Sequence, residues 1–148
     1  MLKLRPELAA STAARKARSK GSPEDRLHRA VASYLSLALH DDECLWWHCP
    51  NGEYRSPKTA AKLKAFGVRP GVPDICLILP GGTAGFIELK AEKGVLSPTQ
   101  KAFSLRSNSI GAKWAVCRSL EEVAITLNNW GVPLHATLFN NQICKRLA

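Results

Sequence analysis

The stretch GVPDICLILPGGTAGFIELK, residues 71–90, constrains the fold of this chain more than any other. Two apolar runs flank a Gly-Gly turn, which is the pattern of a buried β-hairpin. Yet Asp74 opens the first run, and Glu88 and Lys90 sit inside the second. Ionised side chains are costly to bury unless they are paired or bind a metal. Residues two apart on a strand face the same side, so Glu88 and Lys90 project together while Leu89 turns into packing. A three-residue loop, Gly81 to Thr83, pairs Pro80 with Ala84. Asp74 then lies opposite Lys90, and Cys76 opposite Glu88. An even loop with no bulge would throw Asp74 to the other face. The expectation is therefore an odd-length turn with all three charged groups on one face.

Two carboxylates and a lysine on one face have a chemical use. Asp74 and Glu88 offer the hard oxygens that Mg²⁺ takes. Lys90 can orient or help deprotonate a water and offset developing negative charge. These are the parts for metal-assisted hydrolysis of a phosphodiester. The plainer alternative is a Glu-Lys pair at a sheet edge and an aspartate in a turn. The hairpin that joins them favours catalysis.

The rest of the chain frames this hairpin. Ser22-Pro23-Glu24-Asp25 is a helix start, with a capping serine and an acid three residues on. Leu27, Ala30, Val31, Tyr34, Leu35 and Ala38 give that helix one apolar face to about residue 40. CLWWHC, 44–49, reads as a strand in which Trp46 and Trp47 face opposite sides. Ser56-Pro57 opens a basic helix to about Phe66, and GVRPGVP is a rigid loop. Strands at 74–80 and 85–90 follow. Ser97-Pro98-Thr99-Gln100 caps a helix to about Ser109, KWAVC (113–117) is a strand, and Ser119 caps a last helix to about Trp130. LHATLF beyond it reads as an edge strand. The order αβ(α)ββαβα is a mixed sheet flanked by helices. The expected organisation is a basic arm (1–21), one domain (22–130) and a C-terminal extension (131–148).

Composition narrows the class. At 148 residues and 45% hydrophobic content, one core can be filled. No apolar run reaches the length of a membrane span, and the N-terminus has no signal-peptide core. Its Arg, Ala and Ser content mimics a transit peptide, though a basic arm is the plainer reading. Lys and Arg outnumber Asp and Glu by 21 to 12, a net charge of +9, which favours polyanionic partners. Five scattered cysteines with apolar neighbours read as reduced thiols of an intracellular protein. His40, Cys44, His48 and Cys49 raise the question of zinc, but no CxxC pair exists and the segment is strand-like.

PD…ELK resembles the PD-(D/E)xK nucleases, with their restriction-endonuclease-like αβββαβ core. HCPNGEYRS, AAKLKAFGVRPGVPD and GFIELKAEKGVLSPTQKAF are more closely similar to the VRR-NUC family. The resemblance runs from about Glu24 to Trp130 and is nearest the small stand-alone proteins of phages and bacteria. It implies a Mg²⁺- or Mn²⁺-dependent endonuclease acting on DNA, with flaps or Holliday junctions among the substrates. It implies a homodimer and a cytoplasmic setting in a bacterial or phage-infected cell. It places metal and water handling on Asp74, Glu88 and Lys90, with Leu89 lending its carbonyl to the metal. Gln100 supports the site or simply completes its capping box. Glu24 assists a metal or an outer water, or only favours its helix N-terminus. Asn51, Arg55 and Lys58 are candidates for phosphate contact, as is Arg69, whose plainer role is a satisfied loop arginine. His28 and His48 are secondary acid-base candidates. A catalytically silent nucleic-acid-binding module of the same fold is the alternative, and nothing in these residues reads the sugar to exclude RNA.

Overall fold

The computed structural model describes residues 21–50, 55–139 and 142–145. The basic arm (1–20) and Asn51 lie outside the described residues. The elements are α1 (Pro23–Ala38), β1 (Leu45–His48), α2 (Pro57–Ala65), β2 (Ile75–Ile78), β3 (Ala84–Leu89), α3 (Pro98–Ser109), β4 (Lys113–Cys117), α4 (Leu120–Asn129), β5 (Ala136–Phe139) and β6 (Gln142–Lys145). No described helix is long and apolar enough to cross a membrane.

Four strands form one mixed sheet in the order β1-β2-β3-β4. The first two pairings are antiparallel. β3 and β4 are parallel, joined through α3. One sheet face carries Ile75, Leu77, Leu79, Ile87 and Leu89 into the core. There they meet Val31, Tyr34, Leu35 and Ala38 of α1 and Val123 and Leu127 of α4. Alternation then sends Asp74, Cys76, Phe86 and Glu88 to the other face. α3 lies over that second face, with Phe103 edge-on to Phe86 at 5.2 Å. Trp46 packs against the core while Trp47 is exposed, as their alternation requires.

The hairpin differs from the expected register by one step at each end of its loop. The last ladder partners are Ile78 and Ala84. Leu79 N–H still donates to Thr83 O at 2.8 Å, which leaves Pro80-Gly81-Gly82 as the loop. Gly82 N–H donates to Leu79 O at 2.9 Å, and Gly81 has φ of 83°. That is a type II turn, in which Pro sets the first corner and Gly the positive φ of the second. Pro80 therefore belongs to the turn, not to the strand. The loop stays odd in length, so the faces are preserved, but Asp74 comes opposite Glu88 rather than Lys90.

The C-terminal segment also departs from expectation. β5 does not extend the main sheet; it pairs with β6 in a separate antiparallel hairpin. Val132 and Ala136 are buried in the main core, and Leu134, Leu138 and Ile143 pack on it. Both strands of this hairpin lie against α1. His135 N–H ties this segment to Ala38 O at 2.9 Å.

α1 begins with a complete capping box. Ser22 Oγ accepts from Asp25 N–H at 3.1 Å, and Asp25 Oδ2 accepts from Ser22 N–H at 2.8 Å. The backbone and side chain of Ser22 hold the Asp25 carboxyl below its usual value of 3.8. A lowered carboxylate stabilises the fold above its unfolded pKa, and that contribution is lost as pH falls through the folded value. We expect Asp25→Asn to lower the urea midpoint at neutral pH. The difference from wild type should shrink as the pH is taken below 3.8; a difference that grows on acidification would contradict the capping role.

Candidate active site

The centre of the site is a buried ion pair at the end of β3. Lys90 Nζ lies 2.6 Å from Glu88 Oε1. Gln100 Nε2 donates to the same oxygen from the first turn of α3. Glu88 is 1% exposed, and its second oxygen, Oε2, is buried with no hydrogen-bond partner among the described residues. Burial raises the Glu88 pKa; the hydrogen bond from Lys90 opposes this, and the charges of Asp74 and Glu24 add to the rise. Burial alone would lower Lys90, but the Glu88 hydrogen bond and charge, with Glu24 and Asp74, leave it raised. Lys90 is thus a firmly protonated group among acids. Glu24 Oε1, on the first turn of α1, stands 3.8 Å from Lys90 Nζ.

Asp74 is held from three sides. Its Oδ2 accepts from Leu89 N–H at 2.9 Å, which fixes the carboxylate against β3. Its carbonyl accepts from Cys49 N–H at 2.8 Å and meets His48 Nδ1 at 2.9 Å. Leu89 itself is fully buried by its side chain. Asp74, Glu88, Lys90, Gln100 and Glu24 all border one open cleft of about 910 Å³.

The lining of the cleft is also basic: Arg55 just before the cap of α2, Lys64 of α2 and Arg69 of the GVRPGVP loop. Arg55 donates to Pro50 O at 2.5 Å. α2 buries none of its residues; its Lys62 ammonium lies over the Phe66 ring, 5.4 Å from the centroid. Lys58 is exposed on α2 but does not line the cleft. Lys64 does line it and was not among the candidates read from the sequence. Its signal was only its place in a basic helix five residues before Arg69.

Gly71 locks the two halves of the site together. It has φ of 81°, and a Cβ there would lie 2.4 Å from Thr99 O and 2.9 Å from Gln100 N. The loop leading to Asp74 therefore lies directly on the first turn of α3, the turn that aims Gln100. Gln100 makes two contacts at once. Its Oε1 accepts from Ser97 N–H at 2.9 Å to close the capping box, while its Nε2 serves Glu88.

The remaining candidates lie to one side. His28 and His48 meet edge-on with centroids 4.3 Å apart. Burial, then the charge of His48, lowers the His28 pKa. Cys49 and Cys76 bring their Sγ atoms to 3.3 Å, and burial followed by the Cys49 hydrogen bond pushes Cys76 up to about 12. His40, Cys44, His48 and Cys49 do not converge as one zinc site. Cys44 is buried, Cys49 turns to Cys76, and His40 stacks on His135 instead.

The donor set of the cleft suits a hard divalent cation. Asp74 and Glu88 both line it, and Glu88 Oε2 is buried with no donor among the described residues, where a cation would satisfy it.

The model of the VRR-NUC domain matches residues 22–121. The chain belongs to the VRR-NUC family. A solved VRR_NUC domain superposes with a TM-score of 0.50 at 23% identity, covering 73% of this chain and 97% of its own. A solved VRR_NUC domain protein gives 0.56 at 21% identity, covering 75% and 89%. At these identities the two share the fold of this VRR-NUC chain. No curated protein matches it.

The Gly71 contact gives a direct test. We expect Gly71→Ala to lower stability by roughly 1–3 kcal/mol, from its positive φ and the collision with α3. Urea unfolding measures this, and an unchanged midpoint would contradict the close packing.

Proposed function

We propose that this VRR-NUC protein is a Mg²⁺- or Mn²⁺-dependent endonuclease that hydrolyses phosphodiester bonds in DNA. The observation that carries the proposal is the buried, partnerless Oε2 of Glu88, in a cleft shared with Asp74 and lined by basic side chains. Asp74 and Glu88 would hold the cation, with the Leu89 carbonyl as a third donor. When bound, such an ion polarises a phosphate oxygen and makes water more acidic.

The chain's own residues supply the rest. Gln100 and Lys90 together occupy Glu88 Oε1 and leave Oε2 for the cation. Lys90, held protonated by its acidic neighbours, offsets the negative charge that grows on phosphorus oxygens in the transition state. It can also orient the attacking water or help deprotonate it. Glu24 keeps the Lys90 ammonium in place and can hold an outer water. Arg55, Lys64 and Arg69 grip backbone phosphates along the cleft. Asn51 and Lys58 extend that grip along the strand. As the water oxygen bonds to phosphorus it gives up a proton, the bridging P–O bond breaks, and the departing oxygen takes a proton from solvent.

Branched DNA is the proposed substrate, Holliday junctions or flaps included, and a homodimer the proposed assembly. Both rest on the family resemblance, and the exposed basic α2 is consistent with a polyanion larger than one strand. The free cysteines fit a reducing compartment, such as the cytoplasm of a bacterial or phage-infected cell.

The test is a panel of duplex, single-strand, flap and four-way junction DNA, with matched RNA, in Mg²⁺, Mn²⁺ or EDTA. We expect cleavage only with metal, and a loss of about 10²-fold or more in Asp74→Asn and Glu88→Gln. Gln100→Ala should lose about 10- to 100-fold, since it positions a ligand. Undiminished cleavage by folded Glu88→Gln protein would overturn the reading. Tight DNA binding without cleavage in any metal would favour the silent binding module.

A further inference from the structure

Three metal-ligating side chains converge at the other end of α1. His40 follows the helix, Glu43 closes the turn after it, and His135 enters β5. Their ligand atoms all lie within 4.8 Å of one another. His135 Nε2 meets Glu43 Oε2 at 2.6 Å. The imidazoles of His40 and His135 stack in parallel, with centroids 3.7 Å apart. Fourteen helical residues separate this cluster from Glu24, about 20 Å at 1.5 Å per residue. It is therefore a different place from the cleft.

We propose that His40, Glu43 and His135 form a second metal site, one that takes a borderline transition-metal ion such as Zn²⁺. Two imidazole nitrogens and a carboxylate oxygen suit Zn²⁺, Co²⁺ or Ni²⁺ and are the wrong set for Mg²⁺. The ligands come from two parts of the chain 92 residues apart. Each part is fixed by backbone hydrogen bonds. Glu43 N–H and Cys44 N–H both donate to His40 O at 3.0 Å, and His135 N–H donates to Ala38 O at 2.9 Å. The cluster is open to solvent, so an ion can enter and water can complete the shell. Asp41 and Asp42 adjoin it and make this a locally acidic spot on a chain of net charge +9. The stacked rings place their nitrogens side by side. Rotation about the soft terminal torsion of either ring turns both lone pairs toward a shared ion. An ion there would pin the C-terminal hairpin to the end of α1, so its role is structural.

The proposal does not depend on nuclease activity. The test uses the full chain, stripped with EDTA and exchanged into chelator-free buffer. Zn²⁺ is titrated by calorimetry, Co²⁺ is followed by its absorption, and the melting temperature is read with and without Zn²⁺. Wild type should take up one equivalent of Zn²⁺ and melt several degrees higher with it. Its Co²⁺ spectrum should lack a thiolate charge-transfer band. The double variant His40→Ala/His135→Ala should lose both the equivalent and the shift. Asp74→Asn should keep them. Should the double variant fail to fold by circular dichroism, Glu43→Gln decides, with an expected loss of affinity of about tenfold or more. Equal Zn²⁺ affinity in wild type and Glu43→Gln would overturn the site. So would a thiolate band, which would move the ion to Cys49 and Cys76.

Discussion

The contact between Lys90 and Glu88 is the interaction on which the site depends. A carboxylate and an ammonium are both taken out of water, with Asp74 and Glu24 adding negative charge nearby. Such a pair is an uncertain source of stability, because desolvation can exceed the Coulombic gain. An oxygen left without a donor makes the arrangement dearer still. On the proposed reading it is a site prepared for a cation, whose binding would satisfy that oxygen.

Everything around the pair serves to hold it. β3 presents Glu88 outward while Ile87 and Leu89 anchor the strand in the core. The type II turn at Pro80-Gly81 sets the register that brings Asp74 across from Glu88. Leu89 N–H then fixes the Asp74 carboxylate, so the same residue anchors the strand and orients the neighbouring acid. α3 contributes Gln100 through its capping box, and Gly71 lets the Asp74 loop rest on that turn. The scaffold is rigid where ligands are placed, whereas α2, which buries nothing, supplies only charge.

Much of this was legible in the sequence because it rests on local rules. Ser-Pro starts at 22, 56 and 97 marked three helices, and strict alternation marked the strands. Parity along the hairpin was enough to put Asp74, Glu88 and Lys90 on one face. The exact partner was not legible, since either Pro80 or Gly81 could have begun the loop, and only backbone hydrogen bonding decides. The C-terminal hairpin was missed because LHATLF has the alternation of any half-buried strand; which surface buries it is a tertiary matter. Lys64 was passed over among several equivalent lysines, since helix phase relative to the cleft depends on how α2 docks. The meeting of His40, Glu43 and His135 spans 92 residues and left no local signature.

The central claim is that Glu88 Oε2 and the Asp74 carboxylate share a divalent cation. Anomalous diffraction from crystals grown with Mn²⁺ tests it most directly. The account predicts a manganese peak within coordinating distance of Glu88 Oε2 and an Asp74 carboxylate oxygen. Mn²⁺ bound elsewhere on the chain, with that oxygen left unliganded, would contradict it.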